Sequence, residues 1–220
     1  FADGGIYQGC FKEDEFHGEG VLKGSEGSRY EGLFSRGKRE GDGTQLYPDG
    51  STHIGSYSKG LKEGPGEMLM SNGDRFVGIF RKGMMNGKGK ISYHNGDLYE
   101  GGFVNDRRQG DGVLLFGDGV RFEGEFDFGE PSPRGTYYYS DESEYSGEAI
   151  KGVWNGKGRL SRPDGTIYEG EFVDGMMSGQ GMFFFANGNS YEGGFLEGKR
   201  EGYGVYHYEN GERYEGESVD

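Results

Sequence analysis

A single cysteine, Cys10, stands in 220 residues, so the chain can form neither an intrachain disulfide nor a multi-cysteine zinc site. Such sparse use fits a reducing, cytoplasmic setting. Only five prolines occur, and glycine does not fall at every third place, which excludes collagen. No apolar run approaches the ~20 residues of a spanning helix, and no signal-peptide pattern opens the chain. Positive charge is in deficit: 24 Lys and Arg against 38 Asp and Glu give a net −14. Non-specific nucleic-acid binding depends on neutralising phosphates, so nucleic acid is not an expected partner. Hydrophobic residues make up only 31%, a level that suggests disorder. Disordered chains are poor in aromatics, however, and 15% of this one is Phe, Tyr or Trp.

What the chain has in excess is glycine, 48 of 220 residues, about three times the usual share of roughly 7%. Glycines and rings fall into columns spaced by 23 residues, without insertion or deletion. Tyr7, Tyr30, His53, Phe76, Tyr99, Phe122, Tyr145, Tyr168, Tyr191 and Tyr214 form the first column. Two places on stands a glycine every time, from Gly9 to Gly216. Four places on come Phe11, Phe34, Tyr57, Phe80, Phe103, Phe126, Ala149, Phe172 and Phe195, and thirteen places on a second unbroken glycine column, Gly20 to Gly204. A fixed period of this length signals a repeat architecture. Nine full units start at 7, 30, 53, 76, 99, 122, 145, 168 and 191 and end at 213. Residues 1–6 match the end of a preceding repeat and 214–220 the start of a further one.

The pattern, roughly Y-E-G-x-F-x-x-G-x-x-x-G-x-G, resembles the MORN (membrane occupation and recognition nexus) repeat over essentially the whole chain. The resemblance implies a scaffold that binds protein partners or organises cytoskeletal, ciliary or membrane-associated structures. It also admits the regulatory array of a lipid kinase or lysine methyltransferase.

The residues themselves point to an all-β fold. Asp49-Gly50, Asn72-Gly73, Asn95-Gly96, Asp118-Gly119, Asp164-Gly165, Asn187-Gly188 and Asn210-Gly211 are hairpin cues, because both central residues of a type I′ turn need positive φ. Each hairpin is therefore expected to straddle a repeat boundary, with the glycine-spaced segment carrying the chain to the next. Alternation along a strand places Tyr168, Gly170 and Phe172 on one face and Glu169 and Glu171 on the other. The glycine is read as a gap into which a neighbouring repeat's ring settles. The expected product is an elongated single twisted antiparallel sheet built from tandem hairpins, with two strands per repeat. At ~4.8 Å per strand, nine repeats would span on the order of 85 Å.

A single sheet leaves part of its aromatic face uncovered, and an apolar patch of that size marks a binding surface. Tyr30, Phe34, Tyr57, Phe76, Phe80, Tyr99, Phe103, Phe122, Phe126, Tyr168, Phe172, Tyr191 and Phe195 are the candidate groove for an extended peptide or helix. Thirteen of the 24 cations fall just after the second aromatic, on what stacking makes one edge. Arg36, Lys38, Arg39, Lys59, Lys62, Arg81, Lys82, Arg107, Arg108, Lys199 and Arg200 are its candidates for an anionic phospholipid or acidic partner. Met84, Met85, Trp154, Met176 and Met177 add apolar contacts along that edge. Exposed edge strands suggest a homodimer.

No catalytic group stands out, and the chain is read as non-enzymatic and free of cofactors. The four histidines, His17, His53, His94 and His207, occupy four different places in the repeat and define no metal site. "GMMNGKGK" from Gly83 lacks the Gly-Lys-Ser/Thr ending of a phosphate loop. Recurrent Glu31, Glu100, Glu123, Glu169, Glu192 and Glu215 read as a solvated face. The pattern breaks in one region. Pro131 and Pro133 replace the linker residues of the sixth repeat, Glu142 its turn glycine, and Ala149 the next second ring. A bend or altered twist is expected across 129–154.

Overall fold

The computed structural model describes residues 4–219; residues 1–3, within the segment assigned to a preceding repeat, and Asp220 lie outside the described residues. Nineteen strands form one open antiparallel sheet, with no helix among the described residues. Each repeat supplies a seven-residue strand that begins one residue before its ring, then a nine-residue strand. In order these are β1 (Ile6–Lys12), β2 (Glu15–Lys23), β3 (Arg29–Ser35), β4 (Lys38–Leu46), β5 (Thr52–Ser58), β6 (Leu61–Leu69), β7 (Arg75–Arg81), β8 (Met84–Ser92), β9 (Leu98–Val104) and β10 (Arg107–Leu115). They continue as β11 (Arg121–Asp127), β12 (Glu130–Tyr138), β13 (Glu144–Ile150), β14 (Val153–Ser161), β15 (Ile167–Val173), β16 (Met176–Phe184), β17 (Ser190–Leu196), β18 (Lys199–His207) and β19 (Arg213–Val219).

The chain divides into two compact units, one running to Gly117 with Phe126–Gly129, the other comprising Asp118–Glu125 and the residues from Glu130 onward. In the first, β1 to β10 form a meander in which each strand pairs with its sequence neighbours. In the second, β12 to β19 do the same.

Two kinds of turn alternate, and the tighter one lies inside the repeat. Arg36 and Gly37 take φ of 50° and 73°, Lys82 and Gly83 50° and 88°, Asp174 and Gly175 49° and 82°. Both central residues are left-handed, the mark of a two-residue type I′ hairpin. At Asp49-Gly50 only the glycine has positive φ (87°). There Gly50 N–H donates to the Tyr47 carbonyl at 3.0 Å and Tyr47 N–H to the Ser51 carbonyl at 2.9 Å, a type I turn closed by a left-handed residue. Asp49 Oδ1 accepts from Ser51 N–H at 2.9 Å. The expected type I′ turn at Asn-Gly and Asp-Gly is thus corrected: the side chain closes a turn of its own. The segment taken for a linker is instead strand. Glu142, where other repeats carry glycine, still adopts φ 68°, and its N–H reaches the Tyr139 carbonyl at 3.0 Å.

The hairpins inside the repeats carry a bulge, whereas those across repeat boundaries stay in register. Gly32 faces Gly43 while Phe34 faces Arg39, so Leu33 alone opposes three residues, of which Gly41 is left-handed (φ 62°). In the sixth repeat that place belongs to Pro133, whose ring locks φ near −65°. There β12 pairs with β13 only over Arg134–Tyr138, whereas β14 pairs with β15 from Gly156 onward.

The core is one layer of rings laid on the sheet. Each first-column ring lies over the paired glycines of its own hairpin. A Cβ on Gly181 would stand 2.5 Å from two atoms of the Tyr168 side chain, and one on Gly170 2.4 Å from its hydroxyl. The expectation of a neighbour's ring in this gap is corrected: the seat belongs to the same repeat. The Tyr168 hydroxyl donates to the Glu171 carbonyl at 3.0 Å, just beyond the glycine. The ring then meets two edges, Phe172 of its own repeat (5.1 Å, 88°) and Phe195 of the next (4.9 Å, 74°). In the first unit Tyr30 makes the same two contacts, with Phe34 (5.0 Å, 85°) and Tyr57 (5.2 Å, 83°). Edge-to-face pairs add ~0.5–1.5 kcal/mol each beyond the area they bury.

Gly181→Ala should therefore destabilise the chain by about 2–3 kcal/mol, at the upper end of overpacking costs. Urea denaturation with an unshifted midpoint would remove the glycine seat from the account.

Candidate functional site

The thirteen rings expected to line an exposed groove are the core itself. Tyr30, Phe34, Tyr57, Phe76, Phe80, Tyr99, Phe103, Phe122, Phe126, Tyr168, Phe172, Tyr191 and Phe195 are all between 0% and 5% exposed. The physical reason is that each ring lies flat, so neighbouring repeats and a second tier of side chains cover it. Burial pushes the Tyr30, Tyr99, Tyr145 and Tyr168 hydroxyls up to about 12.

That second tier comes from two columns. One is the residue nine places after the first ring, near the start of the long strand; the other is the residue just past that strand's end. Between them runs a channel on the ring face, crossing the strands. In the first unit a cavity of about 440 Å³ is lined by Tyr30, Phe34, Arg39, Gln45, Tyr47 and Pro48, among others. In the second a cavity of about 360 Å³ is lined by Arg162, Met177, Phe183, Phe185, Phe195 and Arg200, with Gly198. Tyr47 walls the first cavity, and Arg162 and Phe185 the second; Met70, Tyr93, Phe116, Tyr139 and Tyr208 hold the same position in the repeat. This wall was missed in the sequence, although its residues recur three places before the turn glycine.

The candidate cations separate into two sets. Arg39 lies over Tyr30 and Tyr57 (5.7 and 5.4 Å) and donates to Gln45 Oε1 at 2.6 Å and the Gly60 carbonyl at 2.8 Å. Arg108 lies over Tyr99 and Phe126 and donates to the Gly129 carbonyl at 2.8 Å. Lys62 sits 4.8 Å over Phe80, and desolvation lowers its pKa. Arg200 covers Tyr191. These four belong to the ring face, a correction to their place on the common edge. Arg36, Lys38, Lys59, Arg81, Lys82, Arg107 and Lys199 remain exposed at hairpin tips.

The tips are held in rows by the preceding hairpin. Gly60 and Gly83 N–H donate to the Arg39 and Lys62 carbonyls, each at 2.9 Å. Glu40 and Glu63 accept from Lys59 and Lys82 N–H, also at 2.9 Å. Phe128, at such a tip in the first unit, is 71% exposed with φ 49°. A bulky left-handed residue is a conformational outlier; its only sequence signal was a ring in a turn.

The apolar edge candidates also divide. Met85 is buried, Met177 and Trp154 are half-buried on the ring face, Met84 is half-buried, and Met176 is exposed. Trp154 stacks on Tyr145 (4.7 Å, 12°) and donates to the Tyr139 hydroxyl at 2.6 Å. Phe122 packs against Tyr137 instead (4.8 Å). Together they occupy the space beside buried Ala149, where other repeats have Phe or Tyr.

His53 is fully buried, with Nδ1 2.7 Å from the Tyr57 hydroxyl and Nε2 without a partner among the described residues. Desolvation, aided by Lys62 and Arg39, drops its pKa from 6.5 to about 4. The unfolded histidine gains a proton below 6.5 and the folded one only near 4. Stability therefore falls as pH drops through that window, by on the order of 3 kcal/mol in full. His53→Phe should remove this slope. Urea midpoints of the parent and variant should separate between neutral pH and about pH 5, with the parent weakening faster; parallel curves would show that His53 is not held neutral.

No helix among the described residues is long and apolar enough to cross a membrane, and no cluster of His, Cys, Asp and Glu suited to a metal occurs among them.

The MORN repeat family profile matches nine consecutive segments, 7–29, 30–52, 53–75, 76–98, 99–121, 122–144, 145–167, 168–190 and 191–213. No curated protein matches the sequence significantly. Among solved structures the chain is similar to the wild-type TCP10 domain of Danio rerio CPAP, at 12% identity over 87% of this chain and 90% of that one, with a TM-score of 0.52. A point mutant of that domain matches at 11% identity over 100% and 97%, with a TM-score of 0.51. The same wild-type domain in complex with a peptide of Danio rerio STIL gives 13%, 98%, 99% and 0.44. At such identities the likeness to the first two is one of fold alone.

Proposed function

Because the chain belongs to the MORN repeat family, we propose that it is a non-catalytic scaffold whose ring-face channels each receive an extended segment of a partner protein. The observation that carries this reading is the channel itself. Its floor is a rigid layer of buried rings, and its walls present half-buried Tyr47 in one unit and Phe185 in the other. Cavities of this size, apolar below and bearing a few convergent polar groups, are the usual form of a recognition site. A scaffold needs no reacting group, only surfaces that hold several segments in order.

Peptides selected from a displayed random library against the full chain should lose at least about tenfold in affinity to Tyr47→Ser or Phe185→Ser. They should tolerate Glu169→Lys on the opposite face. The opposite pattern of sensitivity would move the site off the ring face.

A second reading, contact with an anionic phospholipid surface, is favoured by the tips of the first unit. Arg36, Lys38, Lys59, Arg81, Lys82 and Arg107 are exposed on consecutive hairpins, and Phe128 in the same unit presents its ring to solvent. None of these six cations forms an ion pair among the described residues. Each basic residue near such a surface contributes ~1 kcal/mol, and an apolar ring beside them supplies insertion. Vesicles containing phosphatidylserine should sediment the chain at low salt and release it at high salt. Undiminished binding after charge reversal at Arg36, Lys38 and Lys82, or equal binding to neutral vesicles, would end this reading.

A further inference from the structure

In the first unit three successive hairpin tips carry a cation at the same place. Arg36, Lys59 and Lys82 stand 23 residues apart, and all are exposed. Their φ angles of 50°, 52° and 50° describe one repeated geometry. Gly37, Gly60 and Gly83 N–H pin each tip to the hairpin before it, at 3.1, 2.9 and 2.9 Å. In the second unit three successive boundary turns carry a carboxylate at the same place. Asp118, Asp141 and Asp164 are likewise 23 residues apart and exposed. Each accepts the N–H two residues on, from Val120, Ser143 and Thr166, at 3.0, 2.9 and 2.9 Å. Hydrogen bonds from Ser143 and Thr166 hold the last two carboxyls below their ordinary range.

The two rows have the same pitch. Neighbours in each are two strands apart, about 9.6 Å, because both rows are built on one repeat. Both are also three long. Glu13 precedes the cations and Asn105 follows them, while Asn95 and Asn187 flank the aspartates. A slip of one repeat therefore loses a pair, and in one direction sets Glu13 against an aspartate. Other charges on these edges leave the signs intact. Beside the tips, exposed Lys38 and Arg81 answer half-buried Glu40 and Glu63, whose carboxylates accept tip N–H groups. Beside the turns, exposed Glu142 answers Arg162, and Arg121 is paired with Glu123. A fluid lipid surface has no fixed period to match a pinned row of cations; a second copy of this chain has that very period.

We propose that the row of Arg36, Lys59 and Lys82 in one chain docks on the row of Asp118, Asp141 and Asp164 in a second copy. Exposed ion pairs are individually weak, so the contact draws on three held in step and is reversible and salt-sensitive. It joins unlike surfaces and can therefore repeat from copy to copy. It uses neither ring-face channel and stands apart from the channel reading.

The chain itself supplies substitutions that keep the fold. Asn holds the aspartate's place in four other turns, at Asn72, Asn95, Asn187 and Asn210. Glu holds the cation's place in two other tips, at Glu13 and Glu197, with φ of 53° and 48°. The turn variant is Asp118→Asn, Asp141→Asn and Asp164→Asn; the tip variant is Arg36→Glu, Lys59→Glu and Lys82→Glu. At about 0.1 M salt, screening over ~10 Å hides most of the mutual repulsion of two acidic chains but not the attraction of close pairs. Sedimentation equilibrium should show the full chain self-associating there, and at least about tenfold more weakly near 1 M. Each variant alone should lose at least about tenfold in self-association. An equimolar mixture of the two should associate, since one supplies intact turns and the other intact tips. A parent that stays monomeric at 0.1 M salt would overturn the proposal. So would variants that associate as the parent does, an outcome that would assign association to the open edge strands. The turn variant should still sediment with phosphatidylserine vesicles wherever the parent does, which keeps loss of self-association distinct from loss of lipid contact. Library-selected peptides that depend on Phe185 should bind both variants unchanged, so failure here leaves the channel reading standing.

Discussion

A ring lying flat on two facing glycines is the contact from which the rest of this protein follows. Tyr168 occupies the space that side chains at Gly170 and Gly181 would fill, and its hydroxyl is satisfied by the backbone just beyond. Two packed layers are the usual way to bury a sheet's apolar face. Here the rings are laid down instead of standing up, so one layer of strands supplies its own cover. The flat ring also offers its face to an edge from each side, and this ties a repeat to the next through the same geometry that ties it together internally. The 23-residue period is therefore inelastic: a residue gained or lost would move a glycine from under its ring.

That constraint governs where function can lie. The floor is used up by packing, and what differs between repeats is the tier above it. Nine places past the first ring stand Arg39, Lys62, Met85, Arg108, Trp154, Met177 and Arg200, side chains of contrasting charge and shape performing one covering task. Some also repair faults: Trp154 stacks where Ala149 leaves room. His53 carries a cost of its own, a buried imidazole with one unsatisfied nitrogen in a column otherwise filled by Tyr and Phe. Variation that the core tolerates in this way makes neighbouring stretches of the ring face differ in charge and shape.

Much of this was legible in the residues. The repeat, the strands, the division of faces and the solvated glutamates such as Glu169 follow from spacing and alternation, because a period of two is a property of the backbone. The turns were half legible. Asp49-Gly50 is a turn, but the type I′ geometry sits at Arg36-Gly37, where an arginine in a left-handed conformation gives no local warning. Phe34 and Tyr57 were identified as one ring face, yet they were placed at the surface. Exposure depends on what folds back over a ring, and Arg39 arrives from another strand. The same distinction separates Arg36 from Arg39: three residues apart and alike in composition, one points to solvent at a tip and the other is clamped to the Gly60 carbonyl.

The sequence by itself determined the period, the all-β class and which side chains share a face, since each depends only on local conformation and regular spacing. Only the tertiary structure decided that the rings are floor and not wall, that four of the eleven candidate cations are packing groups, and that Tyr47 and Phe185 are left partly open. Those outcomes depend on distances between residues in different strands, and a ring's own neighbours in the chain do not specify whether a side chain as far off as Arg39 is from Tyr57 will lie down upon it.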